Sequence, residues 1–513
     1  MRSPVAQKFA ARTVAAVLAP VIFYVFLVAN GWLGTDFGRH WDEHLFVEFV
    51  DAFHLHGQWI PTLYLYPSFC FWLTLLASFF FRWLHPGLAG MPLLQDMDFS
   101  VFSRDVFVAV ASLGVVWVYL LTLKITKRLW FSCLAGLIFC GSFEFSYHSR
   151  WAVSDLIAAQ FAILSTLLLF SDKSLARRVG WSALVAGVAA GTKYTAGIVV
   201  LNILLLLASS LQPWKKAEQA RQFFRLSLLT GLCFGFAFFV TTPGCVYHLK
   251  SFVHDLWMQK SIYAGGHLGY TVTPGWDCFS RIILYYLLVL FSPLTIGSIL
   301  VCLLGLAGAA YAGCRREWNI FGLFLVMLIY TGYVSLFKVM IVRNLLYVLP
   351  YFVVLAAYGL FSLHQQLKER KIVFLADAVL LCVLAVSLSV VVSDTLSIYR
   401  REHINAKAEL AAYLKENSGA KYIFSSRIKP LLPPQHPSTG TISDPETRLV
   451  FFNSEIKEED FPANRFGVYQ TIAGPRDVNF DYYPTWTGQE RIVIMKVNSA
   501  TRGMLDDLGL GER

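Results

Sequence analysis

Charge is scarce in this chain. Asp, Glu, Lys and Arg make up 15% of its 513 residues, against roughly 25% in soluble domains, so an ordinary soluble globular protein is excluded. None of the nine cysteines falls in a C-x-x-C or Cys/His metal spacing, so neither a zinc module nor a redox pair is signalled. Most lie in apolar segments, where a thiol behaves as a small hydrophobe. Cys245 and Cys278 share one predicted external loop, where a disulfide can form. Internal repeats and low-complexity tracts are absent, and so is any long basic block. The net charge of +10 comes from short clusters between apolar segments, a pattern of membrane topology and not of a nucleic-acid surface. Arg2, Lys8 and Arg12 precede the first apolar run, but that run is too long for a signal peptide and lacks a small-x-small cleavage site. It is therefore expected to be a retained span.

What the chain has is hydrophobicity: 56% of residues are hydrophobic and 15% aromatic. Charge-free runs long enough to cross, or nearly cross, a hydrocarbon core of about 30 Å are 13–33, 106–123, 129–147, 155–171, 194–211, 226–243, 282–312, 318–336, 344–363 and 372–393, with a shorter one at 179–192. The aromatic-rich run 67–81 decides the topology. If it lies at the interface, five basic groups share a side with the N-terminus: Lys124, Lys127 and Arg128; Lys173, Arg177 and Arg178; Lys215, Lys216, Arg221 and Arg225; Arg315 and Arg316; and Lys368, Arg370 and Lys371. That is the positive-inside arrangement, and counting 67–81 as a span breaks it. The sequence thus predicts a polytopic all-α membrane protein of about eleven transmembrane helices, with interfacial helices in the first external loop. Of these spans, 282–312 is long enough to tilt or to begin as a surface helix.

After Ser393 the composition changes. Residues 399–417 read as an amphipathic helix, followed by strand-like runs at 421–425, 448–452, 466–472 and 491–497. The expected division is a transmembrane domain over 1–393 and a small soluble α/β domain over 394–513. The predicted topology puts that domain on the non-cytoplasmic side, in a plasma membrane of bacterial type.

The unusual polar residues then gather on one face. Trp41-Asp42-Glu43 follows the first span, and two carboxylates beside hydrocarbon call for a chemical reason, because desolvating them is costly. The same loop carries Tyr66 and ends at Arg104-Asp105. The next junction holds Arg150 and Asp155, and later ones supply Lys193, His267, Lys338 and Arg343. Taken singly, each has a bland reading: Lys193 as a snorkelling lysine, Asp155 as a helix cap, His267 as a loop histidine. Together they suit one task, in which cations neutralise a lipid phosphate and a carboxylate takes a proton from an attacking hydroxyl.

In order and spacing these residues resemble the C-type glycosyltransferase superfamily, membrane enzymes that use polyprenyl-phosphate-linked sugars. The likeness is strongest to the protein O-mannosyltransferase and lipid A aminoarabinose transferase branch. The motifs are Asp42-Glu43 with a helix ending at Gly57-Gln58-Trp59-Ile60-Pro61, Tyr66-Pro67-Ser68 leading to Trp72, Arg104, Arg150 to Asp155, Thr192-Lys193, and Arg343 to Pro350. They cover residues 10 to about 365. Tyr66 and Leu45 stand where the aminoarabinose branch has a lysine and an arginine, so other cations must help to hold the donor phosphate.

The resemblance implies an inverting transfer of one sugar to an acceptor hydroxyl on the non-cytoplasmic face. Asp42 would be the base and Asp155 would organise the pocket. Lys193 and Arg343 would hold the phosphate with help from Arg104, and Glu43 would support Asp42 or a helix N-terminus. Tyr66, His267 and Arg150 are the remaining candidate substrate contacts. No cofactor motif is present; the carboxylates can accept a divalent metal ion, which no ligand spacing demands. The alternative from another class, a transporter or flippase for a lipid-linked sugar, predicts mid-span ionisable residues and two pseudo-symmetric halves. A silent scaffold with a partner-binding C-terminal domain is the third reading.

Overall fold

The computed structural model describes residues 4–33, 35, 42–88, 90–94, 96–266, 271–292 and 294–402, and beyond them 406–425, 428, 432, 440, 444, 446–452, 468–472 and 492–496. The helices are α1 (Pro4–Trp32), α2 (Glu43–His56), α3 (Phe69–Leu84), α4 (Met97–Thr126), α5 (Leu129–Cys140), α6 (Phe143–Ser149), α7 (Ser154–Leu169), α8 (Leu175–Thr192), α9 (Val200–Leu211) and α10 (Ala217–Thr241). They continue as α11 (Gly244–Tyr247), α12 (Leu249–Gly265), α13 (Trp276–Tyr285), α14 (Thr295–Cys314), α15 (Trp318–Ser335), α16 (Val342–Leu345), α17 (Leu349–Glu369), α18 (Val373–Glu402) and α19 (Ala406–Glu416).

Among the described residues, seven helical stretches are long and apolar enough to cross a membrane: Val14–Trp32, Asp98–Thr126, Tyr194–Leu211, Ala217–Thr241, Thr295–Cys314, Trp318–Ser335 and Val342–Glu369. The apolar helices Leu129–Cys140, Ser154–Leu169 and Leu380–Ser389 are shorter. Two predicted spans are broken. The run 282–312 is a surface-type helix ending at Tyr285, a π-helical turn over Tyr286–Leu290, and then α14 from Thr295. The run 129–147 divides at Gly141-Ser142, where the Ser142 hydroxyl accepts the Phe145 N–H and starts a new helix. At 16 residues, α3 (Phe69–Leu84) extends about 24 Å, short of the hydrocarbon core.

Burial sorts the helices. Every residue from Val342 to Leu360 is buried, and this stretch forms the centre of the bundle, whereas α10 buries only Leu226, Thr230 and Ala237. On α10, Phe224, Leu228, Leu232 and Phe236 recur every fourth residue, and each is at least 63% exposed. In water such a stripe would be a liability; in a membrane it faces lipid. The central contact, α14 on α17, depends on bare backbone: a Cβ on Gly308 would lie 2.2 Å from the Leu355 carbonyl oxygen, and one on Gly359 would lie 2.1 Å from that of Leu304. Small residues at such crossings let helices approach closely where no hydrophobic drive operates between them.

The C-terminal region holds a four-stranded sheet of β1 (Tyr422–Phe424), β2 (Arg448–Phe452), β3 (Val468–Ile472) and β4 (Ile492–Lys496), ordered β1-β2-β4-β3. β1 and β2 run parallel and the other pairs antiparallel. Leu410 and Leu414 of α19 pack with Tyr422, Phe424, Val450 and Ile494 in a small core of its own. The helix predicted over 399–417 differs in its start: α18 runs on to Glu402, and α19 begins at Ala406.

Candidate active site

The site is built from helix ends. Asp42 stands at the N-cap of α2, Asp155 in the first turn of α7, Lys193 at the C-cap of α8 and Arg343 in the short helix α16. Carboxylates suit helix N-termini because the macrodipole there is positive. One arginine ties Thr35 to the start of α2. Arg104 of α4 is fully buried; its Nε and Nη2 donate to the Glu43 carboxylate at 2.6–3.1 Å, and its Nη1 donates to the Thr35 carbonyl at 2.8 Å. Glu43 Oε1 also accepts the Ala152 N–H at 2.8 Å. One ion pair therefore fixes the start of α2 against the junction that leads into Asp155.

Beside this structural pair lies a second, more open group. Arg343 Nη2 is 2.6 Å from Asp42 Oδ2, and its Nε is 3.9 Å from Asp155 Oδ2. Lys193 donates to Asp155 Oδ1, and to Asn344 Oδ1 at 2.6 Å. Asp42, Asp155, Lys193 and Arg343 thus form two acids and two cations in mutual contact. Their side chains differ in access: Asp42 is 19% exposed, Lys193 16%, Arg343 9% and Asp155 3%. Arg343 Nη2 also reaches Tyr66 Oη at 3.4 Å. Burial, and next the Asp42 charge, hold the Tyr66 phenol well above its ordinary range, against the opposing pull of Arg343. It is a neutral group.

The extended loop that presents Tyr66 is clamped from below. Asp255 of α12 accepts the Tyr64 N–H at 2.7 Å, and Tyr194 Oη donates to the Tyr64 carbonyl at 2.8 Å. The Ser68 N–H donates to Thr242 Oγ1 at 3.2 Å. On α2, both Asp51 oxygens accept backbone N–H groups, from Leu93 at 2.7 Å and Leu94 at 2.9 Å.

Sequence reasoning missed Asn344. Its Oδ1 faces Lys193, its Nδ2 donates to Tyr263 Oη at 2.9 Å, and its carbonyl accepts the Tyr330 hydroxyl at 2.6 Å. A lone amide after an arginine in an otherwise apolar stretch was the available signal. Burial is the main cause that raises the Tyr263 phenol above its usual value.

The remaining candidates stand elsewhere. Arg104, expected at the phosphate, is sealed against Glu43. Arg150 makes long contacts, at 3.4 Å, to the Asn30 carbonyl and Ser146 Oγ beside α1. His267 and Trp41 lie outside the described residues. Cys245 and Cys278 are not bonded to each other: both are free thiols, with Cys278 buried in α13. Among the described residues, no three His, Cys, Asp or Glu side chains group as metal ligands.

No family model and no curated protein matches the sequence. Solved structures do match. ArnT from Cupriavidus metallidurans, a lipid A aminoarabinose transferase, superposes in its apo state with a TM-score of 0.53 and 14% identity. In its complex with undecaprenyl phosphate the TM-score is 0.52 and the identity 15%; each comparison covers 96% of this chain and 99% of that one. The archaeal oligosaccharyltransferase AglB from Archaeoglobus fulgidus, in complex with an inhibitory peptide and a dolichol-phosphate, matches with a TM-score of 0.50 and 12% identity over 85% of this chain and 61% of that one. At these identities the likeness is one of fold alone. It reaches further than the sequence motifs, which end near residue 365: at 96% of the chain it takes in much of the C-terminal region.

Proposed function

We propose that this membrane protein is an inverting glycosyltransferase that moves a single sugar from a polyprenyl-phosphate-linked donor to an acceptor hydroxyl on the non-cytoplasmic face. One observation carries the reading. Of the three acids gathered here, Asp42 is the one with an open side chain, and it touches a cation that can also reach an incoming phosphate. The fold shared with a transferase solved on undecaprenyl phosphate supports the choice of donor.

The chemistry follows from the pairing. The acceptor oxygen attacks the anomeric carbon while Asp42 takes its proton, and the bond from that carbon to the lipid phosphate oxygen breaks. Protonating Asp42 removes the negative charge that faces Arg343. The guanidinium is then left uncompensated on that side, just as negative charge grows on the departing phosphate. Its five-donor fork can serve that phosphate without giving up Tyr66. Lys193, held on the neutral Asn344 amide, can turn from Asp155 toward the same charge. Phosphate leaves without needing a proton, so one base suffices and a single displacement inverts the centre. A retaining route would need a second open carboxylate as nucleophile, and Asp155 is closed in between Lys193 and Arg343. Arg104 and Glu43 act by position.

Asp42→Asn keeps the shape and much of the hydrogen bonding but removes the basicity. Turnover should fall roughly 10²–10⁴-fold, with donor binding and folded yield retained. The assay is sugar transfer by the purified protein in lipid nanodiscs, using polyprenyl-phosphate sugars as donors. Near-normal turnover in a folded Asp42→Asn protein would remove Asp42 as the base.

A further inference from the structure

A cleft opens beside the site at the same end of the bundle. Its volume is about 480 Å³, and its lining includes Gly265, Thr271, Thr273, Asp277, Arg281 and Lys338, a size within the range of small-molecule sites, about 300–1,000 Å³. Backbone hydrogen bonds tie its lining to the site. The Val272 N–H donates to the Lys338 carbonyl at 2.8 Å, and the Lys338 N–H donates to the Tyr263 carbonyl at 3.0 Å. Tyr263 is the residue whose hydroxyl holds Asn344, which in turn holds Lys193. Lys338 precedes Arg343 by five residues, so the two Cα atoms are at most about 18 Å apart.

The charges in the cleft do not cancel. Arg281 and Asp277 pair along one face of α13, at 3.0 Å. The exposed Lys338 ammonium has no hydrogen-bond or ion-pair partner among the described residues. Its described lining residues therefore carry one net positive charge, and Thr271 and Thr273 stand among them. An unpaired cation held in a concave polar site selects an anion, and hydroxyl donors beside it suit a sugar.

We propose that this cleft is the acceptor subsite and that it takes an anionic sugar, one bearing a phosphate or a carboxylate. The word acceptor rests on the transferase reading above; the binding chemistry does not. Lys338 would hold the anion, with Arg281 free to turn from Asp277 toward a doubly charged phosphate. The sugar hydroxyls would lie on the side of Tyr263 and the catalytic group.

The test is equilibrium binding to the full chain in phosphatidylcholine nanodiscs, with glucose 1-phosphate and glucuronate as probes and glucose as the uncharged control. Both anions should bind in preference to glucose and weaken as salt rises. Lys338→Glu should weaken them about tenfold or more, whereas Lys193→Ala and Asp42→Asn should bind them normally. Asp42→Asn is the arm that separates the two readings: an inactive enzyme that still binds the probes in the cleft leaves this inference standing. Binding lost in Lys193→Ala and kept in Lys338→Glu would mean that the probes occupy the donor-phosphate site, and would overturn the proposal. So would no preference for the anions over glucose. Adding phosphatidylglycerol to the nanodiscs separates the remaining source of the same chemistry: if that lipid displaces the probes in a Lys338-dependent manner, the cleft is a lipid headgroup site and not a sugar subsite.

Discussion

Between Asp42 and Glu43 the chain turns into α2, and the two carboxylates part company. Adjacent residues at a helix start point about 100° apart, so one can enter the bundle while the other faces the cavity. Glu43 enters. Its partner Arg104 has no exposed side-chain surface, and removing one member of a buried pair leaves an uncompensated charge. Glu43→Gln should therefore destabilise the folded protein by about 3–5 kcal/mol, seen as a lower thermal midpoint and reduced folded yield in detergent. Arg104→Met should do the same. The double variant should lose less than the sum of the two, because neither charge is then stranded. An additive pair of losses would mean that the two side chains act independently. Asp42→Asn makes the contrast, since its effect is expected in turnover and not in stability. Both acids were legible as unusual from sequence, because a carboxylate near hydrocarbon is costly. Which of the two is structural was not legible, since it depends on an arginine 61 positions away.

At the scale of elements, hydropathy located the apolar helices and found the four strands to within a residue or two, because both signals are local; α1, α4, α10 and α18 run nine residues past the predicted runs at one end. It failed where apolar length and helix continuity diverge. Residues 282–312 carry no charge, yet the chain turns through a π-helical segment and restarts at Thr295, because the Ser298 hydroxyl donates to the Tyr286 carbonyl at 2.8 Å and the Phe291 N–H donates back to that hydroxyl at 3.3 Å. No window average reads such a tertiary lock. The neutral amide of the site was harder to read for a related reason. Asn344 carries no charge, so a lone amide in an apolar stretch is only a weak signal. The α14–α17 crossing gives a prediction at this scale. A side chain at Gly359 meets backbone on both sides, at Leu304 and at Gly308, and backbone cannot move aside as a flexible side chain can. Gly359→Val should cost about 1–3 kcal/mol or more as the helices separate. It should also lower activity, because α17 is the helix that follows directly from Arg343. Size-exclusion profiles and thermal midpoints of the variant check this; an unchanged midpoint would show that the crossing is looser than the contact distances imply.

Across the whole molecule, the site and the basic clusters lie at opposite ends of the bundle. Asp155 opens α7, and three residues after that helix ends, Asp172 meets Lys124. Arg343 lies just ahead of α17, and Lys368 lies in its last turn. The 16 residues of α7 alone extend about 24 Å between these two ends. If basic clusters mark the cytoplasmic side, the site faces away from the cytoplasm, which is where a lipid-linked sugar and an acceptor would meet in the proposed reaction. By the same reasoning we propose that the C-terminal sheet stands on the side of the site. α17 leads from the site end to Lys368, Arg370 and Lys371, and the 30 residues of α18 pack back along it, long enough at about 45 Å to return to the site end. This holds whether the crossings number eleven or fewer, because it depends only on the last two helices. Alkaline phosphatase fused after Arg513 should be active and green fluorescent protein fused there dark, while the same reporters inserted after Arg316, between α14 and α15, should give the reverse. A dark phosphatase and a bright fluorescent protein at Arg513 would mean that α18 stays on the cytoplasmic side. The sheet would then be separated from the site by the membrane and could take no part in acceptor binding.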